Sequence, residues 1–231
     1  MIKIENESVS SISRAIYSAR NAMNSWDKSD SDLEKDIVGS NDLALAKRLC
    51  NAGTDHRKFM RMITVYVDVT APLYWWKQCD QYKVGTTTDS CSTMHKIQAK
   101  EFTLDDFSHE HLLSGKGFKL VYDDCNPDKE IDFHLRLASH QLLELIINTL
   151  NYYRKIFLET NDKKYWWQMI QLLPSSYNQR RTIMLNYEVL ANIYKSRRNH
   201  KLDEWRAFCE WIESLPYSEL ITGKEKNDES I

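Results

Sequence analysis

The most regular pattern in the chain lies at residues 61–69, where Ile63, Val65, Val67 and Val69 alternate with Met62, Thr64, Tyr66 and Asp68. A period of two in β-branched residues predicts a strand with one buried face. Elsewhere the apolar period is three to four, which predicts helices. Residues 11–24 place Ile12, Ala15, Ile16, Ala19 and Met23 on one stripe. A second helix, capped by Ser40 or Asn41, carries Leu43, Ala46, Leu49 and Cys50 and stops at Gly53. The longest helical pattern spans 135–158, through Leu135, Ala138, Leu142, Leu145, Ile146, Leu150, Tyr153 and Phe157. Residues 165–173 form a short helix halted by Pro174. Residues 182–197 read as helix, with Ile183, Leu185, Val189, Leu190, Ile193 and Tyr194 inward, and 202–215 as the last helix.

The intervening stretches are polar. Residues 1–10 read as a tail or an edge strand, and the acidic, Ser-rich 25–40 as a loop with one helical turn. Pro72 suits the first turn of a helix that follows the strand. A short strand is expected at 118–122, before a turn at 125–128. No repeat or linker divides the pattern. One domain is expected over 1–222, followed by a disordered polar tail at 223–231.

Composition narrows the class. With 6 Gly and 4 Pro among 231 residues, long helices are favoured over a many-turned β-sandwich. A formal charge of −2 supplies no global basic field for nucleic acid. No apolar run approaches the ~20 residues of a membrane helix. The five Cys are scattered without a CxxC pair, and no signal-peptide pattern opens the chain. Free thiols in a reducing cytoplasm are expected.

Chemistry concentrates at 71–95. Thr86, Thr87, Thr88, Asp89, Ser90 and Ser92 make this a solvated loop or a polar site, because each buried hydroxyl needs a partner. Cys79 reads as packing. His109 with His111, and Cys91 with His95, have no second cluster at zinc-ligand spacing, so no metal is expected. Gly-rich phosphate loops and a nucleophile elbow are missing. The pairs Trp75–Trp76 and Trp166–Trp167 are core or stacking faces. The basic run KSRRNHK at 195–201 is either a solvated helix end or an anion site, with Arg180, Arg181, Lys77 and Lys83 as further phosphate candidates.

The order of these pieces resembles the flavin-dependent thymidylate synthases. Ala52–Gly53 and the strand at 61–69 fit that pattern, and Lys77-Gln78 stands where the family has Arg-Gln. Gln81, Tyr82 and Lys83 fall on its Arg-His-Arg signature, and Thr86, Thr88 and Asp89 on the Ser, Asn and Glu that follow. Counted from Leu173–Pro174, Arg180, Asn186, Leu190, Asn192 and Arg197 land on residues of the same type. His200, Glu204 and Arg206 resemble the closing His/Glu/Arg tail with a one-residue slip. Departures accompany the match. Thr54, Phe59 and Met60 replace polar ring-binders, and Ile170 and Glu188 replace arginines.

The resemblance implies an α+β fold, a central and mostly antiparallel sheet flanked by long helices. It implies methylation of dUMP, or a related pyrimidine nucleotide, with methylenetetrahydrofolate, NADPH and FAD in a homotetramer. Arg197 and Gln78 would be the catalytic residues. Gln81, Tyr82, Lys83, Thr86, Asp89, Asn186 and Asn192 would line the flavin, and Gln78, Cys91, Thr93 and Arg197 the substrate. The alternative is a non-catalytic, nucleotide-binding homologue that has lost flavin chemistry, in a sensing or sequestering role.

Overall fold

The computed structural model describes residues 2–114 and 138–224. The strand expected at 118–122 and most of the polar tail lie outside them. Two compact units emerge: Met1–Cys91 with Gln179–Ile231, and Ser92–Asn178.

The first unit holds the sheet. The described strands are β1 (Lys3–Ser10), β2 (Thr64–Pro72), β3 (Thr87–Ser90) and β4 (Asn178–Asn186), in the order β1-β2-β4-β3. β1 runs antiparallel to β2, and β3 antiparallel to β4. The alternation expected in β2 is realised: Ile63, Val65, Val67 and Val69 are all buried. The expected edge strand near the start of the chain is realised as β1.

Around the sheet stand α1 (Ile12–Ser18), α2 (Ser40–Asn51), α3 (Leu73–Cys79), α6 (Tyr187–Arg197), α7 (Asp203–Ser214) and the short α8 (Glu219–Thr222). Their apolar faces meet those of β2 and β4 in one core, with Trp75, Trp76, Tyr187, Trp205 and Phe208 as its largest members. The aromatic pair at 75–76 is therefore core, with Trp75 against Trp205 at 4.7 Å between ring centres.

Two expectations need correction. Residues 182–186 are strand, not helix: β4 buries Gln179, Ile183 and Leu185 at even spacing, and the helix starts only at Tyr187. Asn186 marks the change, its side chain accepting a hydrogen bond from the Val189 amide at 3.0 Å. The start of α2 is also held differently. Gly39, not Ser40 or Asn41, occupies the cap position, and the distant Asp30 carboxylate accepts from the amides of Asn41 (2.8 Å) and Asp42 (3.1 Å). A Cβ on Gly39 would come within 2.2 Å of Asp30, so glycine is required by this close approach. The acidic 25–40 segment thus serves as a cap. Asp42 in turn takes the buried Arg20 and the hydroxyls of Ser29 and Ser31, so the buried charge is fully partnered.

The second unit is built on α4 (Ser139–Thr160) and α5 (Lys163–Leu172), the latter capped by Asp162. Ile97, Phe102, Phe107, Leu143, Ile147, Leu150 and Met169 form its core. Asn151 clamps the loop at Phe102, donating to its carbonyl and accepting from its amide, both at 2.8 Å.

Candidate functional site

Arg197 ends α6, where the helix carbonyls favour a cation. Its guanidinium lies over the Trp205 ring at 4.9 Å and the Tyr82 ring at 5.7 Å. Nε donates to the Tyr82 hydroxyl at 2.9 Å, and Nη1 approaches Gln78 Oε1 at 3.4 Å. Gln78 Oε1 also accepts from the Trp205 indole at 2.9 Å. Nη2 makes no hydrogen bond among the described residues. Four side chains from α3, the turn after it, α6 and α7 therefore form one cluster. The sequence placed Gln78, Tyr82 and Arg197 in a site; Trp205 was missed. Its helical spacing with Phe208, Cys209 and Ile212 reads as core, and nothing local marks the indole N–H as a partner of Gln78.

The turn from α6 to α7 supports the cluster. His200 lies 6.4 Å from Trp205 between ring centres, and its Nδ1 accepts from the Leu202 amide. Partial burial and the nearby Arg197 and Lys201 charges lower its pKa. Glu204, buried, accepts a hydrogen bond from the Tyr74 hydroxyl. Arg206 donates to the His200 carbonyl at 3.1 Å and pairs with Asp203.

The other expected residues fall elsewhere. Gln81, Lys83 and Asp89 are exposed. The hydroxyl run is the exposed edge strand β3, paired to β4 from Thr87↔Met184 to Ser90↔Arg181. Cys91 extends that ladder, its amide donating to the Arg180 carbonyl at 3.0 Å, and its thiol is exposed. Thr93 belongs to the second unit.

Asn186 packs against Gly85, where an added Cβ would stand 2.8 Å from the amide nitrogen. Gly85 has φ +76°, a conformation open chiefly to glycine. The adjacent Thr86 hydroxyl is buried without a hydrogen-bond partner.

Asn192 projects from a different face of α6, into a cavity of about 560 Å³ that Arg197 does not line. Arg57 enters this cavity and holds Glu188 through a hydrogen bond from Nη2 at 3.0 Å and an ion-pair contact from Nε at 2.9 Å.

Two further phosphate candidates are spent on acids. Arg180 pairs with Asp68 at 2.8 Å, and Arg181 with Asp80 at 2.7 Å, with its guanidinium 4.3 Å from the Trp76 ring centre. Hydrogen bonds from Asn6, Thr182 and Arg180 hold the Asp68 carboxyl far below the usual range. Cys79 is buried, and burial pushes its thiol up to about 12, so it is packing. Among the described residues no group of three or more metal-binding side chains converges. No described helix is long and apolar enough to cross a membrane.

No protein-family model and no curated protein matches the sequence. Solved structures do. Thymidylate synthase X from Helicobacter pylori, crystallised with FAD and dUMP, superposes with a TM-score of 0.66 at 13% identity, over 96% of this chain and 97% of that chain. The UMP/dUMP methylase PolB from Streptomyces cacaoi, bound with 5-Br dUMP, does so with a TM-score of 0.58 at 14% identity, over 96% and 95%. The mixed architecture, its four-stranded sheet and the near-complete coverage agree: this α+β chain has the fold of the flavin-dependent thymidylate synthases.

Proposed function

We propose that the protein binds a pyrimidine mononucleotide through Arg197 and Gln78 and does so without flavin. The observation that carries this reading is the Arg197 cluster. A guanidinium is held over Trp205, with Gln78 fixed beside it and Nη2 left to donate. A planar donor next to an amide suits the carbonyl and N–H edge of a pyrimidine. Support comes also from the solved structures of the same fold, whose bound ligands include dUMP, beside FAD in one of them, and 5-Br dUMP.

The residues expected around FAD do not fit it. Lys83 is the one cation among Gln81, Tyr82, Lys83, Thr86, Asp89, Asn186 and Asn192, against a diphosphate with two charges. Tyr82 is engaged with Arg197, Asn186 caps α6, and Asn192 faces another cavity. In that cavity Arg57 is already neutralised by Glu188.

The second reading is methylation of dUMP with methylenetetrahydrofolate, NADPH and FAD. It is favoured by the likeness to a UMP/dUMP methylase along 96% of the chain. A homotetramer, a single functional domain over 1–222 and a cytoplasmic location accompany either reading as proposals.

Two measurements test this. Saturating dUMP or UMP raises the thermal midpoint of the wild type, because a ligand bound to the folded state stabilises it, and Arg197→Ala reduces the rise. An unmoved wild-type midpoint sinks the nucleotide reading. Purified protein is colourless and takes up no added FAD; a yellow protein with a flavin absorbance band replaces this reading with the second.

A further inference from the structure

We propose that the cavity between α2, α6 and α8 is a separate anion site, for a phosphate monoester no larger than a mononucleotide. This inference does not rest on the Arg197 reading. At 100° per residue, the cavity-lining Ala191, Tyr194, Lys195 and Arg198 occupy a different face of α6 from Arg197. The volume, about 560 Å³, lies within the range of small-ligand pockets.

The charges in this cavity do not balance. Among the described residues Lys47, Arg57, Lys195, Arg198 and Lys224 line it, against Glu219 as the one lining acid. Arg57 is neutralised by Glu188 from beneath, and Lys224 by Glu213 at 2.7 Å. Lys47 reaches Glu219 only at 3.8 Å. Lys195 and Arg198 have no acid within ion-pair distance among the described residues; Arg198 rests over the Tyr194 ring at 5.9 Å. One helical turn apart, they point into the same space. Cations at a helix end complement its dipole without any ligand. Here, however, the same two side chains also line a half-open cavity whose other sides are the α2 end and the turn after α8.

A second observation points to a ligand with its own donors. Glu219 Oε2 is buried in this wall without a hydrogen-bond partner, which is costly unless a donor arrives. An anionic end at Lys195 and Arg198 and a hydroxyl at Glu219 together describe a phosphorylated, hydroxylated small molecule.

The test is phosphorus NMR of inorganic phosphate and of ribose 5-phosphate in the presence of the full chain. Both resonances broaden with wild-type protein, and ribose 5-phosphate binds more tightly than phosphate. The double variant Lys195→Ala/Arg198→Ala weakens both by about tenfold or more, since two charge-assisted contacts are removed. Arg197→Ala leaves the phosphate titration unchanged. Circular dichroism of each variant confirms an intact fold, and Lys195→Gln/Arg198→Gln repeats the loss with side-chain bulk retained. Phosphate broadening that survives both double variants overturns the proposal. So does broadening lost in Arg197→Ala, which would place the anion at the nucleotide cluster instead.

Discussion

Two faces of α6 treat their cations in opposite ways. On one, Arg197 is satisfied by the protein itself: a hydroxyl, an amide oxygen and two aromatic rings. On the other, Lys195 and Arg198 border a cavity and find no acid among the described residues. The difference separates structure from availability. A partnered arginine contributes to the fold and must be met by a ligand that accepts its remaining donor. Unpartnered cations contribute little to the fold and attract whatever anion fits.

The comparison breaks most visibly at Trp205. This side chain is fully buried, carries the Arg197 guanidinium and donates to Gln78. Trp205→Ala is expected to cost about 3–5 kcal/mol in chemical denaturation, from lost packing and a cavity. Asn186→Ala removes the cap of the same helix and is expected to cost about 0.5–2 kcal/mol by the same measurement. Tyr82→Phe deletes one hydrogen bond to Arg197 and is expected to cost about 0.5–1.5 kcal/mol. It also frees Nε, so dUMP titration should show equal or tighter binding. On the other face, Lys195→Ala/Arg198→Ala should alter stability by no more than about 0.5 kcal/mol. A large loss there would mean that these cations have structural partners after all.

The smallest effect is a titration. His200 has a lowered pKa, from partial burial first and then from the Arg197 and Lys201 charges. A lowered value means that the fold disfavours the imidazolium. This contribution to stability is therefore complete above the unfolded value of 6.5 and is lost as pH falls through the folded value. Arg197→Met removes one repelling charge, so the His200 pKa, followed by imidazole proton shifts in NMR, should move upward. An unmoved titration would separate His200 from the cluster.

Much of the frame was legible because burial there is written in a single period. The alternation in β2 and the stripe through Trp205, Phe208, Cys209 and Ile212 each bury one clean face. β4 was not legible, because its buried face begins with Gln179, a polar residue whose amide is satisfied by the Cys91 carbonyl at 2.7 Å. That leaves Ile183 and Leu185 as two apolar signals, and Val189, Leu190, Ile193 and Tyr194 immediately extend them into a helical pattern. The site divided in the same way. Arg197, Gln78 and Tyr82 could be placed through a family pattern. The Arg57–Glu188 pair joins residues 131 apart in the chain, a proximity that only the fold creates.

The bulge in β1 has a consequence for assembly. Asn6 adopts φ 54°, the register with β2 shifts between Glu5 and Ser8, and the Asn6 amide turns to Asp68 at 2.9 Å. An interrupted edge offers a poor template to an incoming strand, whereas β3, at the opposite border, presents a regular one. Among the described strands, chains adding to one another across this sheet would thus find a single regular border each. Growth through that one border ends at a pair.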